Sequence, residues 1–167
     1  MSKADVVVYN GIHLEGKMGS IFDNLTKQNK ATIIREASKR LSQNPNDSTA
    51  LLMLGDIYFQ DQDWEKTYTS YAPLLNQLNG RTPSEQFEIA SRYGIGAVKT
   101  NRLAEAKKGF MMAKNIDPNH FEVNYNLGYL YYTQKEYEKA LQMYKKGENI
   151  DDYAKYNIGY IHYRNNN

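Results

Sequence analysis

The chain has 167 residues, enough for one domain of ordinary size. Its 21 basic and 19 acidic side chains nearly balance, so a formal charge of +2 favours neither nucleic acid nor an anionic membrane as partner. Cysteine is absent, which excludes disulfides and thiolate metal sites. No apolar run approaches the ~18 residues of a membrane span. The N-terminus lacks the basic-then-apolar pattern of a secretory signal, so cytoplasm is the default location for the chain as it stands.

In chain order, residues 1–27 come first and have no repeat. Val6, Val7, Val8 and Tyr9 read as a short strand, closed by a turn at Asn10 and Gly11. Residues 12–25 read as a helix. The run Ala4, Asp5, the apolar strand, then Tyr9, Asn10, Gly11, Ile12, His13, Leu14 and Glu15 resembles a segment of bacterial zinc- and manganese-binding transporter lipoproteins, over roughly residues 3–25. That resemblance implies a metal-ligand role for His13, a bacterial source and an exported ancestor. A metal site needs three or four ligands at fixed geometry, and His13 with Glu15 does not supply them. The segment is therefore expected to be a fusion remnant that caps the first helix or is loosely ordered. A metal-binding or transport accessory role is the alternative that rests on it.

Residues 28–43 read as a helix, with Ile33, Ile34, Ala37 and Leu41 at helical spacing. Asn44, Pro45, Asn46 and Asp47 end it and supply the N-cap of the next helix. From there a register recurs. Gly94 is followed by Ala97, Ala106, Phe110, Ala113 and Pro118, and Gly128 by Tyr131, Ala140, Tyr144 and Gly147. Gly55 opens an earlier unit, with Trp64 where Leu103 and Tyr137 stand later and Tyr71 in the aromatic place of Phe110 and Tyr144. Five extra residues fit the turn-rich stretch 78–82. Thr67 stands where the other units have a small alanine, a departure from their pattern. Ile158 and Gly159 repeat Leu127 and Gly128 in a last helix, capped by Asp151 or Asp152.

Small residues at helix contacts, an aromatic at fixed offset and a period of 34 resemble the tetratricopeptide repeat (TPR) family over about residues 28–167. The resemblance implies an all-α right-handed superhelix of helix-turn-helix units. They divide as a partial unit 28–47, units 48–86, 87–120 and 121–151, and an unpaired helix 152–167. Ile158 and Ile161 are expected to give that last helix an apolar outer face, which points to a truncated chain or to self-association there.

The family lines its concave groove with the first helix of each unit, at positions three before the repeat glycine and one and four after it. Here these are Leu52, Asp56 and Phe59; Ser91, Ile95 and Val98; Tyr125, Tyr129 and Tyr132; and Tyr156, Tyr160 and Tyr163. Lys99 and Arg92 lie beside them. Such spacing puts each trio on one helix face. Six tyrosines on neighbouring helices suit a partly wet protein interface. Two uses stay open for them: recognition, or packing on each other, on the N-terminal segment or on further repeats. One TPR subclass grips the acidic tails of heat-shock chaperones through a Lys/Asn/Arg clamp at these positions, and that clamp is absent here. No nucleophile elbow, phosphate loop or His-Glu metal motif occurs, and Gly94, Ile95 and Gly96 fall inside a helix. The expectation is a module without catalysis or cofactor that binds a protein or peptide partner.

Overall fold

The computed structural model describes residues 15–146 and 152–165, all as helices and the turns that join them. The strand expected at residues 6–9, His13, Gly147 and Asp151 lie outside the described residues. Eight α-helices follow in order: α1 (Glu15–Gln43), α2 (Ser48–Gln60), α3 (Trp64–Tyr71), α4 (Pro83–Lys99), α5 (Leu103–Ile116), α6 (Phe121–Thr133), α7 (Tyr137–Tyr144) and α8 (Asp152–Asn165). Each packs on the next one in the chain, and α3 also continues into a short 3-10 turn, Pro73–Asn76. This is an all-α, TPR-like right-handed superhelix.

The helix starts follow from local chemistry. Asp47 caps α2 by accepting from the Ala50 amide at 3.0 Å, and Arg40 holds its carboxylate at 2.9 and 3.1 Å. Asp63 caps α3 at Lys66. Thr82 and Glu85 form a reciprocal capping box, with Pro83 at the first helical position. That box starts α4 one turn before the division expected at 86/87. In the same way α1 starts at Glu15, so the division expected at 27/28 falls inside a helix.

The helix ends also share one device. Gln62, Asn101 and Lys135 each adopt positive φ, at 58°, 60° and 61°, two residues before Trp64, Leu103 and Tyr137 open the next helix. Each donates its amide three residues back, to Phe59, Val98 and Tyr132. The following amides of Asp63, Arg102 and Glu136 reach five residues back, to Tyr58, Ala97 and Tyr131. This is the Schellman closure, here built without glycine.

The repeat glycines mark close approaches. A Cβ on Gly55, Gly94 or Gly128 would sit 2.9, 2.8 or 2.6 Å from the ring of Tyr71, Phe110 or Tyr144. Those rings are 0 to 2% exposed. The two helices of each unit therefore touch through a bare backbone and a flat ring. Thr67 is fully buried, and its hydroxyl donates to the Asp63 carbonyl at 2.9 Å. The hydroxyl that sets Thr67 apart from the alanine of the other units is therefore paired within the core. Ile161 is also fully buried, against Ala140, Leu141 and Tyr144, with Ile158 half-buried beside it. This corrects the expected apolar outer face. Both isoleucines occupy the inward places that Leu127 and Leu130 hold in α6, because they keep the same offsets from the repeat glycine.

Candidate functional site

Helices α2 and α4 bring five of the sequence-predicted positions, Leu52, Asp56, Phe59, Ser91 and Ile95, to the walls of two clefts. Tyr71 Oη donates to Asp56 Oδ1 at 2.5 Å, and Arg92 Nη1 donates to the same oxygen at 2.5 Å and to Tyr71 Oη at 3.0 Å. Arg92 also pairs with Glu88. Its guanidinium carbon lies 5.1 Å from the Phe59 ring centroid. Burial, then the Asp56 carboxylate, raises the Tyr71 phenol well above its ordinary range, so it stays a neutral donor. Burial opposes the Arg92 charge, yet Tyr71, Asp56 and Glu88 raise its proton affinity further. The network ties α2, α3 and α4 together and neutralises Arg92.

Two clefts flank this network. One, of about 240 Å³, opens between α4 and α6 over Phe59, Phe87, Ile95, Phe110 and Val123, with Ser91, Arg92, Glu88, Glu122, Asn126 and His120 around it. The other, of about 200 Å³, lies between α2 and α4 beside Leu52, Asp56, Arg81 and Glu85. Phe59 and Ile95 line the first cleft. Lys99 is exposed, with its ammonium 5.7 Å from the Trp64 ring, outside both clefts. Phe87, Glu122 and Asn126 were missed. Their signal was available: Phe87, Ser91 and Ile95 are four apart, and so are Glu122 and Asn126, so the expected face simply extends one more turn.

The six tyrosines divide. Tyr129, Tyr156, Tyr160 and Tyr163 are exposed, at 43, 69, 37 and 66%. Tyr125 and Tyr132 are half-buried. Tyr125 packs between Phe121 and Tyr144, with centroids 6.0 and 5.5 Å away. Tyr132 meets Tyr137 at 5.7 Å and Tyr160 of α8 at 6.1 Å. Tyr156 stacks on Tyr160 at 6.5 Å. So part of the set packs on itself, and four rings keep open surface. Among the described residues no group of three His, Cys, Asp or Glu is placed to hold a metal ion. Among them, too, no helix is long and apolar enough to cross a membrane.

No protein-family model matches the chain. Among curated proteins it is similar to Anaphase-promoting complex subunit 3 of Schizosaccharomyces pombe (strain 972 / ATCC 24843), with 26% identity over 117 residues. That match takes in 69% of this chain, which spans 16% of the relative's length. Among solved structures, one crystal structure of MamA aligns over 95% of this chain and 87% of its own, with TM-score 0.65 and 21% identity. Another aligns over 83% and 75%, with TM-score 0.66 and 22% identity. At such identity the likeness is one of fold. The similarity to a zinc- or manganese-binding lipoprotein finds no counterpart among these proteins.

Proposed function

We propose that the chain is a non-catalytic protein-interaction module, which holds an extended peptide or a partner helix in the groove formed by the first helices of its repeats. The observation that carries this reading is the set of exposed rings, Tyr129 on α6 and Tyr156, Tyr160 and Tyr163 on α8; the two clefts lined from α2, α4 and α6 support it. Exposed rings with polar tips bind at low entropic cost and tolerate water at the rim. A curated relative named as a subunit of a multi-protein complex fits the same use of the fold. Self-association through α8 has less behind it, because Ile158 and Ile161 are turned inward. Metal handling rests on His13 alone.

The test is capture from the source lysate by the wild-type chain beside Tyr129→Ser/Tyr156→Ser. Both side chains are exposed, so circular dichroism should be unchanged. A protein retained by the wild type and lost from the variant supports the groove. Equal retention by both refutes it.

A further inference from the structure

The cleft between α4 and α6 has a chemistry that selects its occupant. Its floor is apolar, with Phe59, Phe87, Ile95, Phe110 and Val123. Its volume of about 240 Å³ falls below the ~300–1,000 Å³ of pockets that enclose a drug-sized ligand. It matches one large side chain. The charge around the two clefts is unequal. Four carboxylates, Asp56, Glu85, Glu88 and Glu122, stand against the guanidiniums of Arg81 and Arg92. Arg92 is already paired with Asp56 and Glu88. At the anchor cleft itself Glu88 and Glu122 stand against Arg92, and because Glu88 is paired with Arg92, Glu122 is the carboxylate there that meets a partner's cation, the reverse of a rim that grips acidic tails.

Resting on the groove reading above, we propose that this cleft anchors one aromatic or large aliphatic side chain of an extended segment that carries Lys or Arg beside the anchor. The apolar side chain supplies most of the affinity by leaving water. The basic neighbours set orientation and speed encounter, and their contribution weakens with salt.

The probe is a phage-displayed library of random peptides selected on the full chain, followed by titration of enriched peptides labelled with fluorescein. Phe-anchored peptides leave Trp64, the chain's single tryptophan, as a second reporter, since its ring lies 5.9 Å from that of Phe59. Enrichment of an aromatic or Leu residue next to Lys or Arg is expected. Anchor→Ala in the peptide should weaken binding by about 30-fold. Glu122→Lys should weaken it by about two- to fivefold and restore binding to a peptide whose Lys is changed to Glu. Ser91→Trp fills the cleft and should abolish binding while leaving circular dichroism unchanged. Acidic enriched motifs, or basic ones insensitive to both Ser91→Trp and Glu122→Lys, overturn the proposal. If such peptides are instead lost in Tyr129→Ser/Tyr156→Ser, the groove reading survives and only the anchor cleft fails. No enrichment at all also overturns the proposal, and the lysate capture then decides the groove separately.

Discussion

Gly128→Ala and Gly159→Ala make the same chemical change at the same place in the repeat, yet should move stability in opposite directions. In a free helix, Gly→Ala gains about 1 kcal/mol. At Gly128 the new Cβ would meet Tyr144 Cε1 at 2.6 Å and Cδ1 at 2.7 Å. Ordinary carbon contacts lie near ~3.5–4.0 Å, so the ring must retreat by about 1 Å. It has little room, because Tyr144 is 2% exposed and Tyr125 packs on it at 5.5 Å. Overpacking of this kind costs about 1–3 kcal/mol and outweighs the helical gain. Because the ring is boxed in, the upper part of that range applies, about 2–3 kcal/mol, which leaves a net loss of about 1–2 kcal/mol, or a fall in Tm of roughly 2–8 °C for a chain of this size. At Gly159 no atom lies within 4 Å of the new Cβ, so up to about 1 kcal/mol should be gained within α8. The assay is urea unfolding followed by helical ellipticity, with amide hydrogen exchange to read α8 by itself. Tyr144→Leu in the Gly128→Ala background should recover part of the loss, because the two sites couple. A Gly128→Ala chain as stable as wild type, or α8 amides that exchange faster in Gly159→Ala, would refute the close-approach account.

Further tests follow from the same geometry. Tyr71→Phe removes the hydroxyl shared by Asp56 and Arg92 but leaves their direct ion pair and the ring under Gly55, so the loss should be about 1 kcal/mol; a loss above about 3 kcal/mol means the network matters more than its geometry implies. Gln62→Gly and Lys135→Gly should each raise the unfolding free energy by about 0.5 kcal/mol, read as a higher urea midpoint, while Gln62→Val lowers it, because positive φ strains a side chain; equal midpoints for all three would contradict the Schellman reading. Stability should also fall at both ends of the pH range. Asp47 is held below the usual carboxylate range mainly by the Ala50 amide, Asp63 by Lys66 and Glu85 by the Thr82 amide. Their contribution is present above the unfolded value near ~4 and is lost as pH falls through the lower folded values. Burial raises Tyr71 and Tyr144 and pushes Tyr93 up to about 12, so their contribution is full below ~10 and lost as pH rises through the raised values. Asp47→Asn should flatten the acid limb of the denaturation midpoint, and an unchanged limb counts against the assignment.

How much was legible depended on whether the cause was local. The period of 34, the small residues opposite Tyr71, Phe110 and Tyr144, and the cap at Asp47 are properties of sequence spacing and of side chains bonding their own backbone. They made the all-α repeat readable before any contact was known. The Schellman turns were not, because Gln62 and Lys135 carry no glycine signal; the positive φ is imposed by the helices that meet there. For Ile158 and Ile161 the inward direction was legible in their offsets from Gly159, which match Leu127 and Leu130 around Gly128, and only the cover that Ala140, Leu141 and Tyr144 of α7 provide was not. The site divides in the same manner. Spacing alone put Phe59, Ile95 and the six tyrosines on helix faces, since helical geometry fixes which residues share a side. Only tertiary packing decided that Tyr125 and Tyr132 lie half-buried among rings of neighbouring helices while Tyr129 and Tyr156 stay open. It also decided that Arg92, 36 residues from Asp56, is neutralised by it. A chain's sequence fixes directions relative to its own helix axis; whether a direction ends in solvent, in a ring or in a counter-charge depends on which distant helix lies across it.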